Sequence, residues 1–293
     1  MWPPAPGGRL TACWPLAEFG LEEVRRALAE DRAREDITSR LLGANALLPA
    51  SGRFVVEERC VVAGLPIAAL AFRELDPDSS LRTCVDEGDW ADPGGAIATI
   101  RTSGAALLGA ERTALNFVQR LSAIATLTRR AVDAVAGTGA VITDTRKTTP
   151  GLRALEKYAV RVGGGVNHRA SLADGVLFKD NHWALLERTS LQEALAGAPQ
   201  GVEAIVEVET PEQLEQALAA GVRRILVDNQ PPERIAGWVK RAGPEVAIEA
   251  SGGITSYTAR AYADAGARYI SIGALTHSAR AAGIRLEIPP PLR

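Results

Sequence analysis

Cationic side chains are concentrated between residues 144 and 182, in a chain whose formal net charge is only −2. The positive charge is therefore local. Arginine and lysine donors bind carboxylates and phosphates, so the segment predicts a pocket for a small ligand with several negative charges. Its cationic residues include Arg146, Lys147, Arg153, Lys157, Arg161, His168, Arg169 and Lys179.

The run Thr145–Gly151 (TRKTTPG) follows a predicted strand. Arg146 offers a planar fork for a carboxylate and Lys147 a point charge, while Thr145 and the loop amides can hold phosphate. The alternative is a solvated basic loop. The stiff Thr-Thr-Pro-Gly turn so close to a strand end argues against that alternative.

Two further segments add candidate ligands. Gly163–Gly165 could be only a helix C-cap, but three glycines also let the backbone approach a ligand closely. His168 and Arg169 follow, and we expect them to face that ligand, although a lone histidine is also typical of a hydrogen-bonded core. Lys179 ends an apolar strand; the alternative for residues 179–182 is an ordinary turn in which Asp or Asn caps a helix.

Carboxylates and small residues follow later strands. Glu207 and Glu209 alternate with valines and so lie on one side of their strand. Buried carboxylates need cations, a metal or ligand hydroxyls, so Glu209 and Asp228 could bind a ribose and its Mg²⁺ or form ion pairs with the cationic segment. Small residues after the last two strands predict a phosphate site: Ser251, Gly252, Gly253, Gly273 and Ala274.

A regular alternation of strands and helices must position these residues. Each predicted strand is followed by one of the polar or glycine residues above, and the carboxyl ends of parallel barrel strands meet on one face. About 160 residues are too few for an eight-fold barrel of about 250, so we expect an open barrel with fewer strands. The predicted strands are 141–143, 176–178, 204–208, 224–227, 246–249 and 269–272.

The first part of the chain has a different pattern of predicted secondary structure. Short β runs at 54–56, 61–62, 81–85 and 96–100, with helices at 21–30 and about 66–74, indicate a small α+β domain. The Ala/Leu-rich stretch 104–136 predicts two helices. Pro211 is expected near a helix start, and Ser256 is expected to be the N-cap of a helix that ends near Ala265.

The predicted fold class is therefore α/β, an open parallel α/β barrel with an N-terminal α+β domain. We place the domains at residues 1–115 and 116–293, with the last residues able to pack back on the N-terminal domain.

Composition excludes several functions. A near-neutral chain with 5% aromatic residues has neither the field nor the stacking surface of a nucleic-acid binder. No apolar run approaches the roughly 20 residues of a membrane span, and the N-terminus lacks a signal-peptide pattern. Three distant cysteines give no zinc or disulfide spacing. We expect a cytoplasmic protein without nucleic-acid or membrane partners.

Taken together, the segments resemble the quinolinate phosphoribosyltransferase family, the decarboxylating enzymes of NAD biosynthesis. The similarity runs over nearly the whole chain, and its most specific part is the block from TRKTTPG to KDNH. The segments that carry it are VAGLP (62–66), EGD (87–89), ERTALN (111–116), TRKTTPG (145–151), GGGVNHR (163–169), KDNH (179–182), EVE (207–209), VDN (227–229) and ASGGI (250–254).

The resemblance implies a homodimer in which Arg112 reaches into the partner's site; assembly into a higher oligomer stays open. It also implies that Thr145, Arg146, Lys147, His168, Arg169 and Lys179 bind quinolinate. Glu209 and Asp228 would bind the ribose and Mg²⁺ of phosphoribosyl pyrophosphate, and Ser251–Gly253 with Gly273–Ala274 its 5′-phosphate. The implied catalytic residues are Lys147, Glu209 and Asp228.

Glu35, Cys60 and Ala123 depart from the family pattern, outside the implied pocket. Three alternatives stay open. One is the related molybdenum-transport-associated group, in which the KDNH segment is typically altered. Another is a non-catalytic phosphosugar-binding module, which would not require Lys147, Lys179, Glu209 and Asp228 together. The third is nicotinate or nicotinamide as substrate, which would leave cations unpaired.

Overall fold

The computed structural model describes residues 19–186 and 189–289 and divides into two compact units. Of the described residues, the first unit comprises those up to Leu127, the segment Pro150–Gly164 and those from Ala279 on. The second comprises Thr128–Thr149 and Gly165–Ser278. Cys13 lies outside the described residues.

Helices and strands alternate regularly only in the later part of the chain. The helices are α1 (Leu21–Glu30), α2 (Ile37–Arg40), α3 (Leu65–Leu75), α4 (Gly104–Ala134), α5 (Arg153–Val162), α6 (Asp180–Ala184), α7 (Leu191–Ala196), α8 (Pro211–Ala219), α9 (Pro232–Ala242), α10 (Ala259–Asp264) and α11 (Ala274–His277). The strands are β1 (Pro49–Val56), β2 (Cys60–Val61), β3 (Ser80–Thr83), β4 (Trp90–Ala91), β5 (Ala96–Ser103), β6 (Val141–Thr143), β7 (Val176–Phe178), β8 (Ala204–Val208), β9 (Arg224–Asp228), β10 (Ala247–Ser251), β11 (Tyr269–Ser271) and β12 (Ile284–Glu287).

The first unit is an α+β structure, as predicted. Its main sheet is antiparallel with the order β12-β1-β5-β3, and β2 pairs with β4. Phe54 of β1 and Phe72 of α3 are fully buried, and their rings meet edge to face with centroids 6.2 Å apart. An aromatic pair between a strand and a helix anchors the core of this unit.

At the start of α3, hydrogen bonds connect two of the segments that resemble the family, VAGLP (62–66) and EGD (87–89). The Glu87 carboxylate accepts hydrogen bonds from the amides of Gly64 (2.6 Å) and Leu65 (2.8 Å), which have no partner within the helix. Gly64 has a φ of +98°, and a Cβ there would lie 2.9 Å from Leu121. Burial raises the pKa of Glu87 to about 7, against the effect of those two amides.

The prediction of two helices within 104–136 was wrong, because α4 is a single helix of 31 residues. Its sequence contains no proline, and Gly109 alone costs a helix only about 1 kcal/mol. The predicted domain division at 115/116 falls inside α4 and stays a prediction.

The second unit is built on a six-stranded parallel sheet with the order β6-β11-β10-β9-β8-β7. Within the described residues β6 and β7 are its two ends, so the sheet is open, and the predicted fold class is confirmed. A further parallel bridge joins Thr143 to Val166 beside β6. The predicted strands agree with the observed ones within two residues at either end.

Two helix starts test the local predictions in this unit. Helix α8 begins at Pro211, as expected, and the Thr210 hydroxyl accepts a hydrogen bond from the Gln213 amide. The expectation for Ser256 was wrong, because α10 begins at Ala259. Thr258 Oγ1 instead accepts from the Thr255 amide in a turn that delays the helix.

Candidate functional site

A cavity of about 160 Å³ opens among the residues at the carboxyl ends of the parallel strands in the second unit. Chemistry collects at this end in parallel α/β barrels. The residues that line the cavity are Thr145, Arg146, Lys147, His168, Arg169, Leu177, Lys179, Leu226, Asp228, Glu249, Ser251 and Ser271.

The structure brings most of the predicted site residues together, but not all of them. Thr145, Arg146, Lys147, His168, Arg169, Lys179, Asp228 and Ser251 line the cavity. The remaining ones do not: Arg112, Glu209, Gly252, Gly253, Gly273 and Ala274. Arg112 belongs to the first unit, where it is exposed and lines a separate cavity of about 470 Å³.

Two arginines face each other in the cavity. Burial lowers the pKa of Arg169, and the nearby positive charge of Arg146 lowers it further. The Arg169 guanidinium donates through Nη1 to the Gly175 carbonyl at 3.0 Å, while its buried Nε has no hydrogen-bond partner among the described residues. Two like charges held this way favour an anionic ligand, which would relieve both the repulsion and the unmet donor.

Lys179 contributes the third cation and has an internal partner. Its ammonium group donates to the Glu207 carboxylate of β8. His182 supports this corner, because its Nδ1 accepts from the Lys179 amide at 3.0 Å. The Trp183 indole donates to the Glu207 carbonyl at 2.8 Å and packs edge to face on Phe178. The turn that follows β7 thus holds Lys179 against β8.

Asp144 ties the two cationic loops to each other. This residue directly follows β6 and is completely buried. Its carboxylate accepts from the His168 amide at 2.9 Å and from the side-chain amide of Asn167. Arg146 and Arg169 therefore extend from two loops that share one buried anchor.

Glu249 is a site residue that the sequence reasoning missed. It lies in the middle of β10, is completely buried and lines the cavity. Its carboxylate accepts from Arg224 Nε at 2.8 Å and from the Ser271 hydroxyl, and it lies 3.4 Å from His168 Nε2. Burial opposes ionisation, but His168 and Arg224 together lower the pKa of Glu249 below its ordinary value. The signal available was a glutamate within an otherwise apolar strand.

Two of the predicted phosphate residues, Gly252 and Gly253, have the left-handed backbone that favours glycine. A Cβ on Gly252, whose φ is +89°, would lie 2.2 Å from Asn229 Oδ1. At the end of β11, a Cβ on Gly273 would lie 3.2 Å from Lys147 Cδ. The Thr276 hydroxyl donates to the Lys147 carbonyl at 2.8 Å. Gly273 and α11 therefore lie beside the loop that carries Lys147.

Acidic groups face the cations from β8 and β9. Glu207 is buried, and burial raises its pKa; Lys179 opposes that shift, while Asp228 and Asp180 add to it. Asp228 is half-buried and lines the cavity, whereas Glu209 is exposed. The described residues contain no cluster of three or more metal-ligating side chains. They also contain no helix that is both long and apolar enough to cross a membrane.

Family models match almost the whole chain in two parts. Residues 36–122 match the N-terminal domain and residues 124–287 the C-terminal domain of quinolinate phosphoribosyl transferase.

Curated relatives match at similar length. The chain is 43% identical over 279 residues to the nicotinate-nucleotide pyrophosphorylase (carboxylating) of Mycobacterium leprae (strain TN), covering 91% of this chain and 96% of that protein. It is 41% identical over 263 residues to the probable nicotinate-nucleotide pyrophosphorylase (carboxylating) of Bacillus subtilis (strain 168), covering 88% and 90%. Among solved structures, the nicotinate-nucleotide pyrophosphorylase from Francisella tularensis superposes with a TM-score of 0.87 at 32% identity, covering 94% of this chain and 98% of that one.

Proposed function

The chain belongs to the quinolinate phosphoribosyltransferase family, and we propose that it transfers a phosphoribosyl group from phosphoribosyl pyrophosphate to quinolinate. Loss of one carboxylate as CO₂ then gives nicotinate mononucleotide, with pyrophosphate as the other product, in NAD biosynthesis. The observation that carries this function is the cavity in which Arg146, Arg169 and Lys179 converge, with Lys147 beside them. A dicarboxylate matches that charge.

Quinolinate is held by the cations of three loops. Arg146 and Arg169 can each form a bidentate pair with a carboxylate, and Lys179 adds a point charge from the β7 end. Thr145 and His168 line the same cavity. Nicotinate has one carboxylate and nicotinamide none, so either would match less of the positive charge that lines the cavity. This charge count favours quinolinate.

Phosphoribosyl pyrophosphate is assigned to the side of the cavity formed by β9, β10 and β11. Asp228 and Ser251 line the cavity there, and the constrained turn at Gly252–Gly253 and the start of α11 supply backbone amides for the 5′-phosphate. Glu209 is placed with Asp228 on the ribose, although its side chain is exposed in this structure.

The carboxylates fit Mg²⁺ that arrives with the co-substrate. Magnesium is usually held by one or two carboxylates together with substrate phosphates and waters, and Asp228 with Glu209 can supply the carboxylates. Mg²⁺ would neutralise the charge of the departing pyrophosphate. The absence of a larger ligand cluster among the described residues is compatible with such a shared site.

The chemistry proceeds in two steps. The pyridine nitrogen of quinolinate forms a bond to ribose C1 as the bond from C1 to the pyrophosphate oxygen breaks. Asp228 and Glu209 stabilise the positive charge that develops on the ribose, and Lys147 lies beside the charges of both substrates. The C2 carboxylate then departs as CO₂, the electron pair of the broken bond stays on C2, where the adjacent positive nitrogen stabilises it, and C2 takes up a proton. Positioning two polyanions against their mutual repulsion is the main contribution of the protein.

The proposal includes a homodimer in which Arg112 enters the partner's site. Arg112 is exposed at a cavity of its own unit and has no part in the cavity of the second unit. Mixing Arg112→Ala protein with inactive Lys147→Ala protein tests this arrangement, because a shared site would regain activity in the mixed dimer. We propose a cytoplasmic location, since buried Cys60 and exposed Cys84 are both free thiols.

A product assay tests the function. Purified protein is incubated with Mg²⁺, phosphoribosyl pyrophosphate and either quinolinate or nicotinate, and nicotinate mononucleotide and CO₂ are measured. Nicotinate mononucleotide with stoichiometric CO₂ from quinolinate alone is expected. Turnover of nicotinate instead would show that nicotinate, and not quinolinate, is the substrate. No product from either, with folded protein, would favour a phosphosugar-binding module or the molybdenum-transport-associated group.

A further inference from the structure

The backbone of Lys147 is held by a hydrogen bond at its amide and another at its carbonyl. The amide donates to the hydroxyl of Thr145 at 3.0 Å, and the carbonyl accepts from the hydroxyl of Thr276 at 2.8 Å. Thr145 belongs to the same loop, whereas Thr276 lies in α11 and is completely buried. The position of the Lys147 peptide is therefore set partly by a distant element, the turn that follows β11.

The Thr276 hydroxyl has one proton to donate, and two carbonyl oxygens lie within its reach. The Lys147 carbonyl is 2.8 Å away and the Gly273 carbonyl 3.1 Å. The Gly273 carbonyl already accepts from the amides of Thr276 and His277, at 3.1 and 3.2 Å. The turn is thus closed by its own backbone, and the shorter contact of the hydroxyl, the one to Lys147, joins the turn to the cationic loop.

The side chain of Lys147 also passes along this turn. A Cβ added to Gly273 would lie 3.2 Å from Lys147 Cδ and 3.2 Å from two ring atoms of His277. The stem of the lysine therefore packs where a side chain at residue 273 would otherwise be. Lys147 is exposed and lines the cavity, so these contacts near its backbone and stem are what limit the positions of its ammonium group.

From these contacts we propose that Thr276 is a positioning residue for Lys147, because its hydroxyl fixes the Lys147 peptide against the turn that confines the lysine stem. A lysine carries a point charge on a flexible stem, so an anchored backbone is needed to keep that charge at one place in the cavity. The kinetic consequence rests on the proposed function, in which Lys147 lies beside the charges of both substrates. The position of the lysine does not depend on that function.

Thr276→Val is the decisive variant, because valine is branched like threonine but has no hydroxyl. Without the hydrogen bond the Lys147 peptide loses its anchor, and its charge is misplaced. We expect kcat with quinolinate to fall about tenfold to 100-fold, as for a small misplacement of a catalytic group. KM for quinolinate should stay within about threefold, because Arg146, Arg169 and Lys179 are unchanged.

Two further substitutions at residue 276 separate the hydrogen bond from packing. Thr276→Ser keeps the hydroxyl and should keep kcat within about threefold of wild type. Equal losses in the serine and valine variants would mean that the methyl group matters and would overturn the proposal. Thr276→Ala removes the same hydroxyl without placing a methyl group against two carbonyl oxygens, so it replaces Thr276→Val if the valine variant does not fold. An alanine variant with the kcat of Thr276→Ser would overturn the proposal as well.

Thr126→Val is the matched control in the first unit. Thr126 lies in α4 and is 7% exposed, and its hydroxyl donates to the Ser122 carbonyl at 2.7 Å and accepts from the Val61 amide at 2.8 Å. The same change therefore removes a buried hydroxyl-to-carbonyl bond, which thermal unfolding should register while kcat stays within about twofold. If Thr126→Val reproduces the kcat loss of Thr276→Val, general destabilisation explains that loss and the positioning role is wrong.

NMR of ¹³C-dimethylated lysines reports on Lys147 in substrate-free protein, and the modification keeps the positive charge. A Lys147→Arg variant assigns the Lys147 signal among the lysines of the chain, which are Lys147, Lys157, Lys179 and Lys240. We expect Thr276→Val to shift the Lys147 signal and Thr276→Ser to leave it in place, with the signal of exposed Lys240 unchanged in both. An unchanged Lys147 signal in Thr276→Val would overturn the proposal. Because no substrate is turned over, failure of the proposed function would leave this result intact.

Discussion

Two carboxylates in the same parallel sheet, Glu249 and Glu207, have opposite electrostatic environments. Glu249 of β10 is completely buried, yet His168 and Arg224 outweigh the cost of burial and lower its pKa. Glu207 of β8 is slightly less buried, yet burial outweighs its contact with Lys179, and nearby Asp228 adds to the shift, so its pKa is raised. Burial alone therefore does not decide the charge state of a carboxylate; the number and placement of its partners do.

The different environments of Glu249 and Glu207 suit different roles. The partners of Glu249 are themselves buried and keep it permanently paired, which suits a residue that stabilises the folded site. The partner of Glu207 is Lys179, whose side chain is 43% exposed and lines the cavity. On the proposed quinolinate site, that cation exchanges Glu207 for a substrate carboxylate. Under that proposal, Glu249 stabilises the folded site, while Glu207 neutralises Lys179 until the substrate binds.

The largest difference between Glu249 and Glu207 is expected in their contributions to the free energy of unfolding. Glu249→Leu leaves Arg224, whose side chain is 10% exposed, without its main counterion, and breaking a buried pair in this way costs about 3–5 kcal/mol. Glu207→Leu should cost about 1 kcal/mol or less, because Lys179 can turn to water. Urea unfolding of both variants measures the free energies. Equal losses would mean that the two carboxylates have the same structural role.

The cations should show the largest effects on turnover without a matching loss of stability. If quinolinate binds as proposed, Arg146→Ala, Arg169→Ala and Lys179→Ala each remove a charge-assisted contact to it, worth about 1.5–3 kcal/mol, or about tenfold to 150-fold in kcat/KM. Steady-state kinetics with thermal unfolding as the control separates the two effects. Near-normal activity in all three variants would contradict the substrate assignment. It would also remove the proposed role of Glu207, which depends on substrate binding by Lys179.

Much of this contrast could not have been foreseen from the sequence. Strand positions and the polar residues that follow them were predictable, because apolar runs and strand ends are local patterns. The partners of Glu249 were not, because His168 and Ser271 come from distant segments that meet only once the sheet order is known. The single helix α4 was also missed, since alanine-rich sequence gives no local signal of where one helix would stop.

The contributions of the two carboxylates to stability should change with pH in opposite directions. The folded pKa of Glu249 is below its ordinary value of 4.5, so its stabilising contribution is complete above pH 4.5 and is lost as the pH falls through the folded value. The folded pKa of Glu207 is above 4.5, so folding is favoured at low pH and becomes less favourable as the pH rises through that raised value.

Comparison of wild type with Glu249→Gln and Glu207→Gln in urea unfolding at several pH values isolates each contribution. Relative to wild type, Glu207→Gln should become more stable as the pH rises above 4.5. The loss of stability in Glu249→Gln should shrink as the pH falls below 4.5. The same sign of pH dependence for both differences would refute the contrast.

The smallest expected effect is kinetic and lies at Glu207. If Glu207 competes with a substrate carboxylate for Lys179, removing its charge in Glu207→Gln should lower KM for quinolinate, by at most about fivefold because a partly exposed ion pair contributes at most about 1 kcal/mol. Asp180→Asn is the matched control, since Asp180 is exposed and contributes less to the pKa shift of Glu207 than the Lys179 contact does. KM should stay unchanged in that variant. A rise of KM in Glu207→Gln would show instead that Glu207 orients Lys179 for the substrate, and the exchange of partners at Lys179 would be wrong.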